Sequence, residues 1–384
     1  MQVSVLPDAV RTPNGQDYFP KSLPTGQPAR AAGGKKGEGK MDTQNMKKEN
    51  TGDAISREIG EMLIREDHFQ EEMEEKAEPY LAAHKEELLI YREDDHPIYC
   101  VRYMPENPQS LLVISHGFCE TTEKYREFIY YFLKENVGVY IFDHCGHGRS
   151  YRLTRHPNKV HVDSYVRYRN DLLFVAHTAH RDHPDLVLNL YGHSMGGAVA
   201  AAAAAAEPDL FNKVILNAPM IRPLTGGFPW KLTASCTKLF CRMGKAENFA
   251  LGQKPYDAVS DTYEVCGSLS EPRFRYYKEI KESDTYCQMG GASYGWLLAA
   301  VEMNEYLQRE GWKTICAPVL LFQAEDERFV SNEQEEVFIR KLHSRSSAKL
   351  VRVPDSRHEI YNSHDDILKQ YLKKVFRFYG VGRS

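Results

Sequence analysis

Short, continuous apolar runs recur along the chain and alternate with longer polar stretches of helical periodicity. Residues 110–115, 138–142, 186–191 and 318–323 are mostly apolar and only five or six residues long, with 213–217 and 348–353 as further short strands that carry charged residues. Runs of this kind predict strands buried on both faces. Residues 125–136, 162–179 and 365–379 place apolar side chains three and four apart and predict helices between or after them. Strands that alternate with helices build βαβ units and a mostly parallel sheet flanked by helices, and ligands bind at the carboxyl ends of its strands. Ahead of this pattern, residues 86–91 and 97–103 flank the charged turn Arg92-Glu93-Asp94-Asp95-His96 and predict a hairpin.

The pattern fails in three places, and each failure marks a segment. Residues 1–52 are rich in Gly, Pro, Lys, Gln, Asn and Thr with few large apolar side chains, too few to offset chain entropy, so a disordered tail is expected. Residues 53–85 space Ile55, Ile59, Met62, Leu63, Phe69 and Met73 helically among many glutamates and predict one or two amphipathic helices, with Pro79 breaking the pattern. From 222 to 312 no buried strand is evident; helical fragments with Trp230, Phe240, Tyr277 and Trp296 alternate with glycine-rich breaks. An insertion of about ninety residues between two strands is too long for a plain loop and predicts a helical cap. The core is then 86–221 together with 313–384.

The densest chemistry lies at residues 186–206, where an apolar run enters Gly192-His193-Ser194-Met195-Gly196-Gly197 and leaves as an alanine-rich helix ended by Pro208. Strand, sharp turn and helix in this order expose the Ser194 hydroxyl above the sheet edge, with Gly192 and Gly196 letting strand and helix approach. A serine hydroxyl needs a base within hydrogen-bond reach and a third group to orient it. His358, just beyond the strand at 348–353, is the candidate base; His364 falls at a helix start and reads as a capping or surface residue. His116, His144, His147 and His193 occupy the same rim and are expected to shape its loops. Glu325, Asp326 and Glu327 follow the strand at 318–323, and one of them has to orient His358. The backbone N–H of Met195, after the nucleophile, and of Phe118, after His116-Gly117, are the candidate oxyanion donors.

Composition narrows the partners. The net charge of −4 over 384 residues leaves no basic excess for phosphate backbones, so nucleic acid is excluded as a partner. Eight cysteines without a C-x-x-C pair favour reduced, mostly buried thiols and give no metal-site spacing. No cofactor is expected. No stretch approaches a membrane span or a secretory signal, so a cytoplasmic protein is expected, with transient membrane-surface contact through the cap. Oligomeric state is left open.

His116-Gly117-Phe118, Asp143-x-x-Gly146-x-Gly148-x-Ser150, Gly192-x-Ser194-x-Gly196-Gly197, Gln323-Ala324-Glu325-Asp326-Glu327-Arg328 and Arg357-His358-Glu359 together resemble the α/β-hydrolases of the monoacylglycerol lipase group, and within it the bacterial lysophospholipases. The resemblance spans about residue 78 to the C-terminus. It implies an α/β-hydrolase fold whose helical cap precedes the strand carrying the acid. Against the fold's Asp-x-x-Val pattern Glu327 takes the place of the aspartate, with Asp326 as the alternative acid and Glu325 third. It implies hydrolysis of a single acyl ester through an acyl-enzyme on Ser194, a small lipid or ester substrate, and an apolar acyl pocket under the cap. Glu327 in place of aspartate and Cys119 after the oxyanion loop depart from the group's commonest pattern. The alternatives are a general carboxylesterase or an acyltransferase on smaller or aromatic esters and, in a different class, a non-catalytic binding protein that keeps the fold.

Overall fold

In the computed structural model residues 55, 57–93 and 95–382 are described; the expected tail 1–52 lies outside them. The apolar runs become one eight-stranded sheet in the order β1-β2-β4-β3-β5-β6-β7-β8. The strands are β1 (Lys85–Tyr91), β2 (Pro97–Tyr103), β3 (Ser110–Ser115), β4 (Val137–Phe142), β5 (Leu188–His193), β6 (Lys213–Asn217), β7 (Val319–Asp326) and β8 (Ala348–Arg357). β1 and β2 form the expected antiparallel hairpin, and β2 also runs antiparallel to β4. From β4 to β8 every pairing is parallel.

The period-two geometry of a strand divides each apolar run between two cores. Leu111, Val113, Leu188, Leu190, Val214, Leu216, Val319 and Leu321 point to one face. Leu112, Ile114, Tyr191, Ile215, Leu320 and Phe322 point to the other. Against the second face pack α1 (Arg126–Lys134) and α8 (Asp365–Tyr379), which bury Phe128, Phe132, Tyr371 and Phe376 there. Against the first pack α2 (Tyr165–Asp182) and α3 (Met195–Ala206). The alanines of α3 are almost all buried, and their small size lets the helix lie close on β5 and β6.

Between β6 and β7 the chain forms α4 (Trp230–Arg242), α5 (Glu271–Ser283) and α6 (Tyr294–Arg309), and no strand. These helices differ in how they are held. α6 inserts Trp296, Ala299, Ala300, Met303 and Leu307 into the first core. α5 is fixed by Arg273, whose side chain is 1% exposed. Its guanidinium donates to Glu127 on α1 at 2.8 and 2.9 Å, to Asp365 on α8 at 3.1 Å and to the Ile64 carbonyl at 2.8 Å. α4 buries only Thr237 and leaves Leu232 and Leu239 exposed. Removing one partner of a buried ion pair strands the other, so Arg273→Met is expected to cost about 3–5 kcal/mol, read as a shift in the urea midpoint. A loss under about 1 kcal/mol would mean that Glu127 finds other partners.

Several details differ from the sequence reading. Helical structure runs on through Phe69–Glu72, a π stretch at Met73–Ala77 and Glu78–His84. Pro79 does not break it: it is the second residue of the last segment, directly after the π stretch, where the hydrogen-bond pattern changes. α7 (Asn332–His343) was not anticipated; Ser331 caps it by accepting the Gln334 N–H. All eight cysteines are free, but only Cys100, Cys145 and Cys287 are buried. Cys119, Cys241 and Cys266 are partly buried and Cys236 and Cys316 exposed, since these stand in loops and in the loosely packed insertion. His364 agrees with its reading as a helix-start surface residue: it is exposed at the N-cap position of α8, its ring paired with Glu66.

Candidate active site

Ser194 sits between β5 and α3 with φ 53° and ψ −119°, a region that side chains seldom adopt. The surrounding glycines make the turn feasible. A Cβ on Gly196 would stand 2.1 Å from the Ser115 carbonyl oxygen, and one on Gly192 2.5 Å from that of Gly196.

His358 comes from the loop after β8. Its Nε2 lies 2.8 Å from Ser194 Oγ and its Nδ1 2.7 Å from Glu327 Oε2. The Glu327 carboxylate is only 2% exposed. Its other oxygen accepts the N–H groups of Phe329 at 2.8 Å and Val330 at 3.2 Å. Burial alone would raise this carboxyl, but His358 and the two N–H groups hold it below the usual carboxylate range. Asp326 is half exposed and ion-paired with Arg328, and Glu325 accepts the Asp355 N–H. Of the three acids, the structure brings only Glu327 to His358. Phe329 covers the imidazole, ring centroids 5.0 Å apart.

Two neutral histidines shape the loop His116-Gly117-Phe118-Cys119. His116 donates from Nδ1 to the Gly117 carbonyl at 2.8 Å and accepts the His144 N–H on Nε2 at 3.0 Å. His147 donates from Nδ1 to the Cys145 carbonyl and accepts the Cys119 N–H on Nε2 at 3.4 Å. The Gly117 N–H goes to Glu120 at 2.6 Å. The amides on either side of Phe118 are thus engaged by side chains. Met195 opens α3, where a helical N–H has no carbonyl one turn back to bond.

Sequence reasoning missed what lies behind this loop. Buried Glu120 accepts from the Tyr125 hydroxyl at 2.7 Å and the Tyr361 hydroxyl at 3.0 Å, and pairs with Lys124 at 2.9 Å. Lys124 also reaches Glu359 at 2.6 Å. Burial would raise the Glu120 carboxyl, but Lys124 and then His193 push it far below its ordinary range. The only signal was a glutamate and a lysine among polar residues of an apparent loop, four positions apart. His193 packs tilted against His358, centroids 4.8 Å apart, and burial lowers it to about 4.

Burial also lowers His116, His144 and His147. Groups depressed in the folded state bind protons more readily once unfolded, so their stability contribution is present above the unfolded histidine range near 6.5 and is lost as pH falls through the folded values. The melting temperature is therefore expected to drop by several degrees from pH 7 to about 4.5. A flat profile by calorimetry would contradict the neutral assignment.

A cavity of about 890 Å³ opens over Ser194 and His358. Its lining includes apolar Trp296, Leu232, Phe240 and Leu297 and charged Lys124, Glu359, Asp261 and Lys281.

Residues 106–365 match the family described as serine aminopeptidase, S33. The chain belongs to that family. It is 26% identical over 302 residues to lysophospholipase L2 of Escherichia coli K12, covering 76% of this chain and 86% of that one. It is 24% identical over 271 residues to the monoacylglycerol lipase of Mycolicibacterium smegmatis, covering 71% and 89%. Among solved structures, a soluble variant of monoglyceride lipase from Saccharomyces cerevisiae superposes with a TM-score of 0.59 at 18% identity, covering 78% of this chain and 96% of that one. The S33 match and this likeness establish the α/β-hydrolase fold expected from the motifs.

Proposed function

We propose that the protein is a serine hydrolase cleaving the carboxylic ester of a single-chain lipid, a lysophospholipid or a monoacylglycerol, through an acyl-enzyme on Ser194. The observation that carries this reading is the line Ser194 Oγ, His358 Nε2, His358 Nδ1, Glu327 Oε2, with contacts of 2.8 and 2.7 Å, beneath a largely apolar cavity. Neutral His358 takes the Ser194 proton as the hydroxyl attacks the ester carbonyl. Ionised Glu327 fixes the imidazole tautomer and stabilises the imidazolium. The N–H groups of Phe118 and Met195 bind the oxyanion. His358 then protonates the leaving alcohol, and water activated by the same base releases the fatty acid.

Residues 222–312 act as the cap, and the acyl chain lies along Trp296, Leu297, Phe240 and Leu232. Exposed Leu224, Phe228, Leu232, Leu239 and Leu251 on the same segment supply the apolar surface for passing contact with a lipid layer. The lysophospholipase and monoacylglycerol lipase relatives support the substrate class.

The test is a matched panel: p-nitrophenyl esters from acetate to palmitate, lysophosphatidylcholine and monoolein. Preference for a long-chain lipid is the expected result. Activity confined to short esters would move the protein to the general carboxylesterases, and binding without turnover would favour an acyltransferase or a non-catalytic fold.

A further inference from the structure

The polar part of the cavity carries more charge than a glycerol leaving group needs. Lys124 and Lys281 stand over the ring of Tyr277, 5.3 and 5.2 Å from its centroid. Their side chains are only 10% and 12% exposed. Each is paired with carboxylates: Lys124 with Glu120 and Glu359, Lys281 with Asp261. An ammonium has three N–H donors. These pairs engage two on Lys124 and one on Lys281, so one and two remain. Arg273 lines the cavity as well, but its guanidinium is held by Glu127 and Asp365.

The position of this cluster follows from the chemistry. His358 hands its proton to the leaving oxygen, so the alcohol half of the substrate lies on the His358 side. Glu359 is the next residue in the chain, and Lys124 is bonded to it. Apolar contacts gather around Trp296 instead: its ring is 4.5 Å from that of Phe118, and its indole N–H donates to Met195 Sδ at 3.3 Å.

The charge balance selects among head groups. With His193 neutral, two lysines face three carboxylates, Glu120, Glu359 and Asp261. A phosphate dianion would meet a net negative cluster and be repelled. A zwitterionic phosphodiester brings one negative and one positive group, which fit the lysine N–H donors and the partly exposed Asp261 and Glu359.

Resting on the single-chain lipid reading, we infer that Lys124, Lys281, Glu359 and Asp261 form a head-group subsite for a zwitterionic phosphodiester, so that an amine-bearing lysophospholipid is preferred over a monoacylglycerol. Phosphate oxygens take the free N–H groups of the two lysines, and the amine sits by Asp261 and Glu359.

The experiment compares kcat/KM for 1-oleoyl lysophosphatidylethanolamine, 1-oleoyl lysophosphatidate and 1-monooleoylglycerol in the wild type, Lys281→Gln and Asp261→Asn. Lys281→Gln is expected to lower the lysophosphatidylethanolamine value about tenfold or more, chiefly through KM, the size of a lost charge-assisted hydrogen bond. Monooleoylglycerol should stay within about twofold. Asp261→Asn removes a carboxylate and should raise lysophosphatidate several-fold relative to lysophosphatidylethanolamine. If all three substrates move together in either variant, the pair acts by holding the fold and the subsite is overturned. A wild type that prefers monooleoylglycerol overturns it too, while single-chain lipid hydrolysis stands. A wild type that cleaves only short p-nitrophenyl esters overturns the lipid reading itself, and the subsite with it.

Discussion

Ser194→Ala is expected to lower ester turnover by at least about 10³-fold while leaving the melting temperature within a few degrees of the wild type. The hydroxyl is the atom the ester carbonyl acquires, and nothing nearby can replace it. His193 is buried and packed on His358, and the Cys119 thiol donates to the Gly290 carbonyl. Burial pushes that thiol well above its ordinary range, so it is no substitute nucleophile. The fold loses one hydrogen bond, from Ser194 to His358. Turnover with p-nitrophenyl butyrate is the measure, together with the mass of the protein trapped during reaction. An acyl adduct on the wild type and none on the variant is the expected pair. Residual activity within about tenfold of the wild type would remove Ser194 from the chemistry.

The core strands were legible because a strand covered on both faces must be apolar at consecutive positions, and β3, β4, β5 and β6 are. The strand-turn-helix around Ser194 was legible for a different reason: Gly192 and Gly196 stand where any side chain would strike backbone. The acid was harder to read. β7 and β8 continue past their apolar runs to Asp326 and Arg357, with a register irregularity between Ala324 and Asp326. Periodicity in the chain cannot say which of three successive carboxylates such an irregularity turns inward. Nor could spacing reveal the Glu120–Lys124–Glu359 chain, since Glu359 comes from the far end of the sequence and charged residues usually mark solvated surface. α7 went unread because its apolar positions, Val337, Phe338, Ile339 and Leu342, sit among many charges.

Glu327→Gln is expected to lower kcat about 10³- to 10⁴-fold, and Asp326→Asn to change it less than about twofold. The two residues are adjacent, yet their surroundings differ. Glu327 is buried with one oxygen bound by the Phe329 and Val330 N–H groups and the other by His358. Asp326 is paired with Arg328 at the surface, where such a pair contributes little. Glutamine in the Glu327 position can turn its NH₂ towards Nδ1. The imidazole then carries its proton on Nε2, facing Ser194, and can no longer accept from the hydroxyl. Because Glu327 lies below the usual carboxylate range, it stays ionised through mild acid, so the kcat ratio of wild type to Glu327→Gln is expected to hold from pH 9 down to pH 5. Kinetics of the two variants from pH 5 to 9 check both points. A larger loss for Asp326→Asn would transfer the acid role one residue back, and a ratio that collapses towards pH 5 would mean that Glu327 takes up a proton in mild acid.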